Sequence, residues 1–325
     1  MKLLILTNNP ERASFRQRIG IYLDILRAAG VDHRVAKIPQ NSWLRRKFFR
    51  QAMDFDAVFM HKRRLNLLDA VWARKYCKKI VYDFDDAVMY DPNKPKRDSI
   101  AHYNSFSRTA KISDMVIAGN SYLAEHALKF NPNVKVLATG LDTGLYNIKV
   151  NKNNDGKVRL VWIGSKSTLP YLAGIKPALE EIGLRFKNVV LRIIADDFFD
   201  LRNMEVEKLR WQNETEPADL MTGDIGLSPL PDDRFTRGKC GFKILQYMAA
   251  GLPSIVSPVG VNSEYVRQDV TGLFACDTAG YTEKISVLVK DSKLRTSMGQ
   301  TALADVRRFD MKEIGTQLVY LLKNI

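Results

Sequence analysis

Cysteine is scarce in this chain. Three residues, Cys77, Cys240 and Cys276, stand among 325. They are odd in number and have no paired spacing, which argues against a disulfide framework and a cysteine metal cage and points to a reducing cytosol. Long apolar runs are missing too. The opening MKLLILTNN is too short an apolar run for the core of a secretion signal and far too short to span a bilayer; it reads as a first strand. No sequence repeat is visible. No basic-aromatic RNA motif accompanies the positive charge, which argues against a nucleic-acid partner.

What is present describes a globular protein with an ample core: 46% apolar and 26% charged residues. The length allows two domains. A net charge of +14 points to acidic partners, such as nucleotides or an anionic membrane surface.

Apolar strands alternate with helices from the start. Strands are predicted at 2–8, 33–38, 56–62, 79–84, 115–119 and 134–138. Helices are predicted at 14–29, 43–53, 66–77, 98–113 and 121–130. This alternation means a parallel sheet with crossover helices. Residues 139–157, rich in Gly, Asn and Asp, read as a connector. The pattern then restarts with strands at 158–164, 189–195, 204–211, 225–229, 253–257 and 271–275. Helices are expected at 169–186, 215–222 and 262–268, in an interrupted stretch over 279–308, and at 311–324. The expected fold class is α/β with two Rossmann-like domains facing a central cleft, where open α/β sheets bind ligands.

The stretch 238–262, GKCGFKILQYMAAGLPSIVSPVGVN, carries the most chemistry. At about 100° per residue, Lys239, Lys243, Gln246 and Ala250 fall on one side of a helix, opposite Phe242, Ile244, Leu245, Met248 and Ala249. Two ammonium groups near a helix start, where unpaired N–H groups already favour anions, make a seat for a diphosphate. The plainer reading is a solvated lysine face.

These runs resemble a retaining GT-B glycosyltransferase of the family 4 type. FKILQYMAAGLPSIVSPVGVNSEYVRQDVTGLF is similar to that family's signature region, TGLDTGLY to its interdomain connector, and VRLVWIGS to the strand and turn opening its donor domain. The resemblance implies domains at 1–145 and 146–325, with the last helix (311–324) packing back on the first. It implies a nucleotide-diphosphate-sugar donor held by the second domain and a glycan or lipid-linked acceptor held by the first. No metal and no further cofactor is expected. The family's two glutamates, eight positions apart, fall here on Gly238 and Gln246.

Further candidates follow from strand ends and turns. For the donor these are Gly164, Ser165 and Lys166 in IGSKS, Arg234 in PLPDDRFTRGK, and Gly260, Asn262, Ser263 and Glu264 at a turn onto a helix. Asn262 also suits a helix cap. For the acceptor they are Arg16, Arg18, His61 and Asn120. In VYDFDDAV, the resemblance makes Asp85 and Asp86 the counterpart of the family's strand-end His-Asp and implies that they meet the transferring sugar or the acceptor hydroxyl, with Lys243 stabilising the leaving diphosphate. Asp83 and Asp85 also fit a Mg²⁺-dependent phosphatase, and the charge fits a non-catalytic binding protein. In WLRRKFFRQAM, 43–53, Leu44, Phe48, Phe49, Ala52 and Met53 oppose Arg45, Arg46 and Arg50, a pattern suited to an anionic headgroup interface. The expected setting is the cytoplasm, with contact at the inner face of the cell membrane.

Overall fold

Apolar strands buried on both faces form the centres of two six-stranded parallel sheets, with polar, partly exposed strands at the edges. The computed structural model describes residues 1–91, 97–150 and 154–325. Residues 92–96 of the segment after Asp86, and 151–153 of the expected connector, lie outside the described residues.

The first sheet joins β1 (Lys2–Thr7), β2 (Asp32–Lys37), β3 (Ala57–His61), β4 (Ile80–Phe84), β5 (Met115–Ala118) and β6 (Val134–Val136) in the order β2-β1-β3-β4-β5-β6. Alternate residues serve opposite cores. Leu3, Ile5 and Phe59 pack with Phe15, Tyr22 and Leu26, while Leu4, Leu6 and Met60 pack with Phe49, Phe84 and Phe106. The last helix, Met311–Lys323, adds Ile314, Leu318 and Leu322 to the Leu3 side. This unit comprises Met1–Gly140, Asp233–Cys240 and Phe309–Ile325. The segment Asp233–Cys240 therefore clusters with the first unit, where the expected boundaries had put it in the second.

The second unit, Leu141–Asp232 with Gly241–Arg308, holds β7 (Val158–Ile163), β8 (Val189–Ala195), β9 (Glu205–Arg210), β10 (Ile225–Ser228), β11 (Ser254–Val256) and β12 (Gly272–Phe274). Their order is β12-β11-β10-β7-β8-β9. The predicted helix at 169–186 divides into Leu169–Ala173 and Lys176–Arg185. Pro177 lacks an N–H and begins a new helix rather than continuing the old one. The predicted helix at 14–29 also breaks, at a 3-10 turn over Gly20–Tyr22. Among the described residues, no helix is long and apolar enough to cross a membrane.

Two expectations fall with the first core. Arg18 is not at a binding surface: it is 1% exposed and grips Asp83 through Nε and Nη2, with Nη2 at 2.8 Å. Its Nη1 donates to the Leu137 carbonyl at 2.7 Å. Burial opposes charge on this guanidinium, and Asp83 more than offsets it, raising its pKa. Asp83, equally buried, is thereby withdrawn from the phosphatase reading, whose nucleophile must reach a substrate. Asp83→Asn is expected to cost about 3–5 kcal/mol in urea unfolding, because it leaves a buried cation without its counter-charge. Replacing both partners by apolar residues should recover much of that loss. A near-zero cost for the single change would show that the pair does not organise this core.

Candidate active site

In the second unit the site begins where β7 ends. Gly164 follows Ile163, and its N–H continues the ladder to the Ile194 carbonyl at 3.0 Å. Ser165–Thr168 then turn, with Ser165 N–H on Thr168 Oγ1 at 3.2 Å. Lys243 brings its ammonium to this turn, 3.4 Å from Thr168 Oγ1 and 4.6 Å from the centre of the buried Trp162 ring. A Cβ at position 164 would stand 2.5 Å from Lys243 Nζ and 2.4 Å from Trp162. Only glycine leaves room for the cation there. Lys166 is largely exposed and pairs with Asp197 at 3.3 Å.

The helix carrying Lys243 is Phe242–Ala249, and it starts later than expected. Its cap, Gly241, is left-handed at φ 62, and Lys239 is extended and lies ahead of it. Lys239 and Lys243 therefore share no helix face, and they fall in different units. The helix face with two lysines is therefore not formed.

Gln246 is buried, and its Nε2 donates to Glu216 Oε1 at 2.6 Å. Glu216 Oε2 accepts from Trp211 Nε1 at 2.5 Å. Sequence reasoning missed Glu216, which begins the helix Glu216–Met221 and reads there as an ordinary first-turn acid. In the other loop Gly260 takes a positive φ of 56, while Ser263 and Glu264 are exposed. Asn262 is buried and neither caps the helix Asn262–Tyr265 nor faces outward. Its Nδ2 holds the Ser257 carbonyl at 2.9 Å.

The first unit gathers a charged cluster at the ends of β3 and β4. Lys62 follows β3 in a left-handed conformation, φ 53, a costly state for lysine. Its backbone N–H donates to the Asp83 carbonyl at 2.7 Å. Its ammonium lies 2.6 Å from Asp85 Oδ1 and 2.7 Å from Asp86 Oδ2. Lys239 reaches Asp86 Oδ1 at 3.1 Å. Burial would raise the Asp86 pKa, but the two ammonium groups outweigh it and hold the carboxyl well below its usual range. Both partners raise the Lys62 pKa against the opposing effect of burial. Among the described residues, no group of three metal-ligating side chains stands together.

The remaining candidates divide between surface and core. His61 is buried, 3.4 Å through Nδ1 from Thr7 Oγ1 and edge-on to Phe15, and burial lowers its pKa. It is a core residue rather than an acceptor contact. Asn120 is buried and caps the helix Ser121–Leu128 through Leu123 N–H at 2.8 Å, while its Nδ2 donates to the Lys239 carbonyl at 3.2 Å. Arg16 is exposed. Arg234 belongs to the first unit, where it pairs with Asp98 and stacks 4.6 Å from the Tyr90 ring. Gly238 explains the missing first glutamate: a Cβ there would come within 2.8 Å of Ala87. In the basic helix, Ser42–Gln51, Arg45 turns inward onto Asp69 at 2.8 Å rather than outward. Trp43, Leu44 and Met53 are exposed, and Phe49 is buried.

Residues 133–291 match the family model described as Glycosyl transferases group 1. Comparison with curated proteins finds no match. Among solved structures, the chain is similar to Anabaena HepE in complex with UDP and glucose, at 17% identity and a TM-score of 0.75 over 100% of both chains. A glycosyltransferase from Rickettsia africae aligns at 13% identity and a TM-score of 0.76, covering 99% of this chain and 98% of that one. Sucrose-phosphate synthase from Thermosynechococcus elongatus aligns at 12% identity and 0.71, again over 99% and 98%. Identities this low speak for the fold alone, and that fold is GT-B, as the pair of parallel sheets leads one to expect.

The Lys62 bridge has a titration signature. Asp86 has a depressed folded-state pKa, so its contribution to stability is present above the ordinary carboxylate value of 3.8 and is lost as pH falls through the folded value. In Lys62→Met, carboxyl carbon NMR should show Asp86 titrating at clearly higher pH than in the parent. An unchanged midpoint would mean that Lys62 does not hold the carboxylates.

Proposed function

With a group 1 glycosyltransferase domain on a GT-B fold, the chain is a glycosyltransferase, and we propose that its donor is a uridine-diphosphate sugar and that transfer to an acceptor hydroxyl retains the anomeric configuration. HepE, similar in fold, has been solved with UDP-glucose, which supports the choice of nucleotide. The observation that carries the reading is the Lys243 ammonium beside the Ser165–Thr168 turn, a cation standing in the space that Gly164 leaves at a strand end, next to exposed Ser165 and Ser167.

In this reading the bond between the sugar's anomeric carbon and the diphosphate breaks, and its electron pair stays on the phosphate oxygen, beside Lys243. Preorganised charge at a developing anion is typically a large catalytic contribution. Ser165, Lys166, Gly260, Ser263 and Glu264 line the same donor side in the proposal. The Gln246–Glu216 pair meets the ribose hydroxyls with both a donor and a carboxylate. Asp85 and Asp86, bridged by Lys62, orient the acceptor hydroxyl in the proposed mechanism, and Lys62 with Lys239 lowers the Asp86 pKa. A carboxylate held that low is a poor base, so the hydroxyl proton passes to the departing diphosphate. The proposed acceptor is a glycan or lipid-linked glycan in surface polysaccharide synthesis, handled in the cytoplasm at the inner face of the membrane. Exposed Trp43 and Leu44 beside exposed Arg46, Lys47 and Arg50 support that setting.

Lys243→Ala should lower kcat/KM for UDP-sugar turnover by about 10²-fold or more, while Lys166→Ala, exposed and paired with Asp197, should change it far less. A near-normal rate for Lys243→Ala would return that lysine to a surface role. Turnover is also expected to persist in excess EDTA, because Lys243 rather than a metal meets the leaving group; loss of activity restored by Mg²⁺ would overturn that part of the mechanism.

A further inference from the structure

The segment Asp233–Cys240 belongs to the first unit, although the residues on either side of it in sequence belong to the second. Residues 119–123, just past β5, grip it. Gly119 leaves the space that Cys240 fills: a Cβ there would stand 2.4 Å from Cys240 Sγ. Asn120 Nδ2 donates to the Lys239 carbonyl at 3.2 Å. The Tyr122 hydroxyl donates to the Arg234 carbonyl at 3.0 Å. Leu123 closes on Gly238, where a Cβ would stand 3.0 Å from its Cδ2. Both hydrogen bonds go to main-chain carbonyls, so they fix the path of the segment and leave its side chains to act elsewhere.

The side chain that this path delivers is Lys239. Its ammonium lies 4.8 Å from the centre of the Phe235 ring and 3.1 Å from Asp86 Oδ1. Phe235 is itself packed against the core of the first unit. Lys62 holds the other oxygen, Oδ2, at 2.7 Å. An aspartate carboxylate turns about a broad, two-fold torsion, so a cation on one oxygen leaves the other free to swing. Cations on both oxygens hold the plane of the group. The charged groups facing Asp86 are these two ammonium groups and the neighbouring carboxylate of Asp85. The Cys240 thiol also stands close by, and burial pushes its pKa up, which keeps it neutral.

Asn120 works at both ends of its amide. Its Oδ1 caps its own helix through Leu123 N–H at 2.8 Å, while its Nδ2 serves the segment. Serine can take over the first task but is too short for the second.

We propose that Asn120 and Tyr122 are positioning residues of the transfer reaction: they peg the segment Asp233–Cys240 so that Lys239 fixes the Asp86 carboxylate in the orientation that meets the acceptor hydroxyl. The proposal rests on the glycosyl-transfer reading and adds to it the residues that govern Asp86 through Lys239.

The test follows the Asp86 carboxyl carbon by NMR through a pH titration in Tyr122→Phe, in Asn120→Ser, and in each combined with Lys239→Met. Urea unfolding is measured on the same samples. Tyr122→Phe keeps the ring, which stands edge-on to His126 at 4.9 Å, and loses the donated hydrogen bond. Asn120→Ser keeps a cap and loses the tie to Lys239. Each single change should move the Asp86 midpoint upward, toward that of Lys239→Met. Added to Lys239→Met, neither should move it further, because the effect runs through that lysine. In turnover, kcat should fall about tenfold in each single variant with little change in KM for the UDP-sugar. Lower unfolding stability with an unmoved Asp86 midpoint would make the two residues merely structural and overturns the proposal. A further shift on top of Lys239→Met overturns it as well, and a moved midpoint with unchanged kcat overturns the role in transfer. If the parent turns over no UDP-sugar, the functional reading fails separately, while the titration still decides what places Lys239.

Discussion

One ammonium group organises the end of the first sheet. Lys62 sits between Asp85 and Asp86 at 2.6 and 2.7 Å, on a backbone held at φ 53. Two adjacent carboxylates repel each other; Lys62 stands between them and Lys239 on the far oxygen of Asp86, and these two ammonium groups hold the Asp86 carboxyl below its usual range. The strained backbone is supported by the hydrogen bond from Lys62 N–H to the Asp83 carbonyl, and Asp83 is itself fixed by buried Arg18. A chain of contacts thus runs from the core ion pair to the half-buried carboxylates of Asp85 and Asp86. The chemistry proposed for the first unit depends on it.

Both units follow the same topological logic. The order of each sheet reverses beside its first strand, at β1/β3 and at β7/β10, and the charged or glycine-bearing features stand just past the carboxyl ends of those strands. Asn8, Lys62 and Arg63 occupy that position in the first unit, and Gly164 with Lys243 in the second. The fold alone does not choose a reaction. The match of residues 133–291 to group 1 glycosyltransferases does, and the local cations say how a diphosphate leaving group would be held.

Much of this was legible in the sequence because the central parallel strands are nearly continuous apolar runs, as in KLLILT and VRLVWI. What failed needed contacts between distant residues or a break in helical register. Arg18 and Asp83 are 65 positions apart, and nothing local shows that each neutralises the other. Lys239 was put on a helix because a wheel assumes continuity; Gly241, visible in KCGFK, was the signal that the helix starts after it. Gly238 looked like a lost functional residue, whereas its neighbours Ala87 and Leu123 leave no room for a side chain. Glu216 went unnoticed because its partner Gln246 lies 30 positions away.

The central claim is that a diphosphate, rather than the nucleoside alone, is what Lys243 and the Gly164 turn hold. Calorimetric titration with uridine, UMP and UDP tests it most directly. UDP should bind at least about tenfold more tightly than UMP, about 1.4 kcal/mol, and this increment should disappear in Lys243→Ala. Equal affinity for uridine and UDP, or an increment untouched by Lys243→Ala, would contradict it.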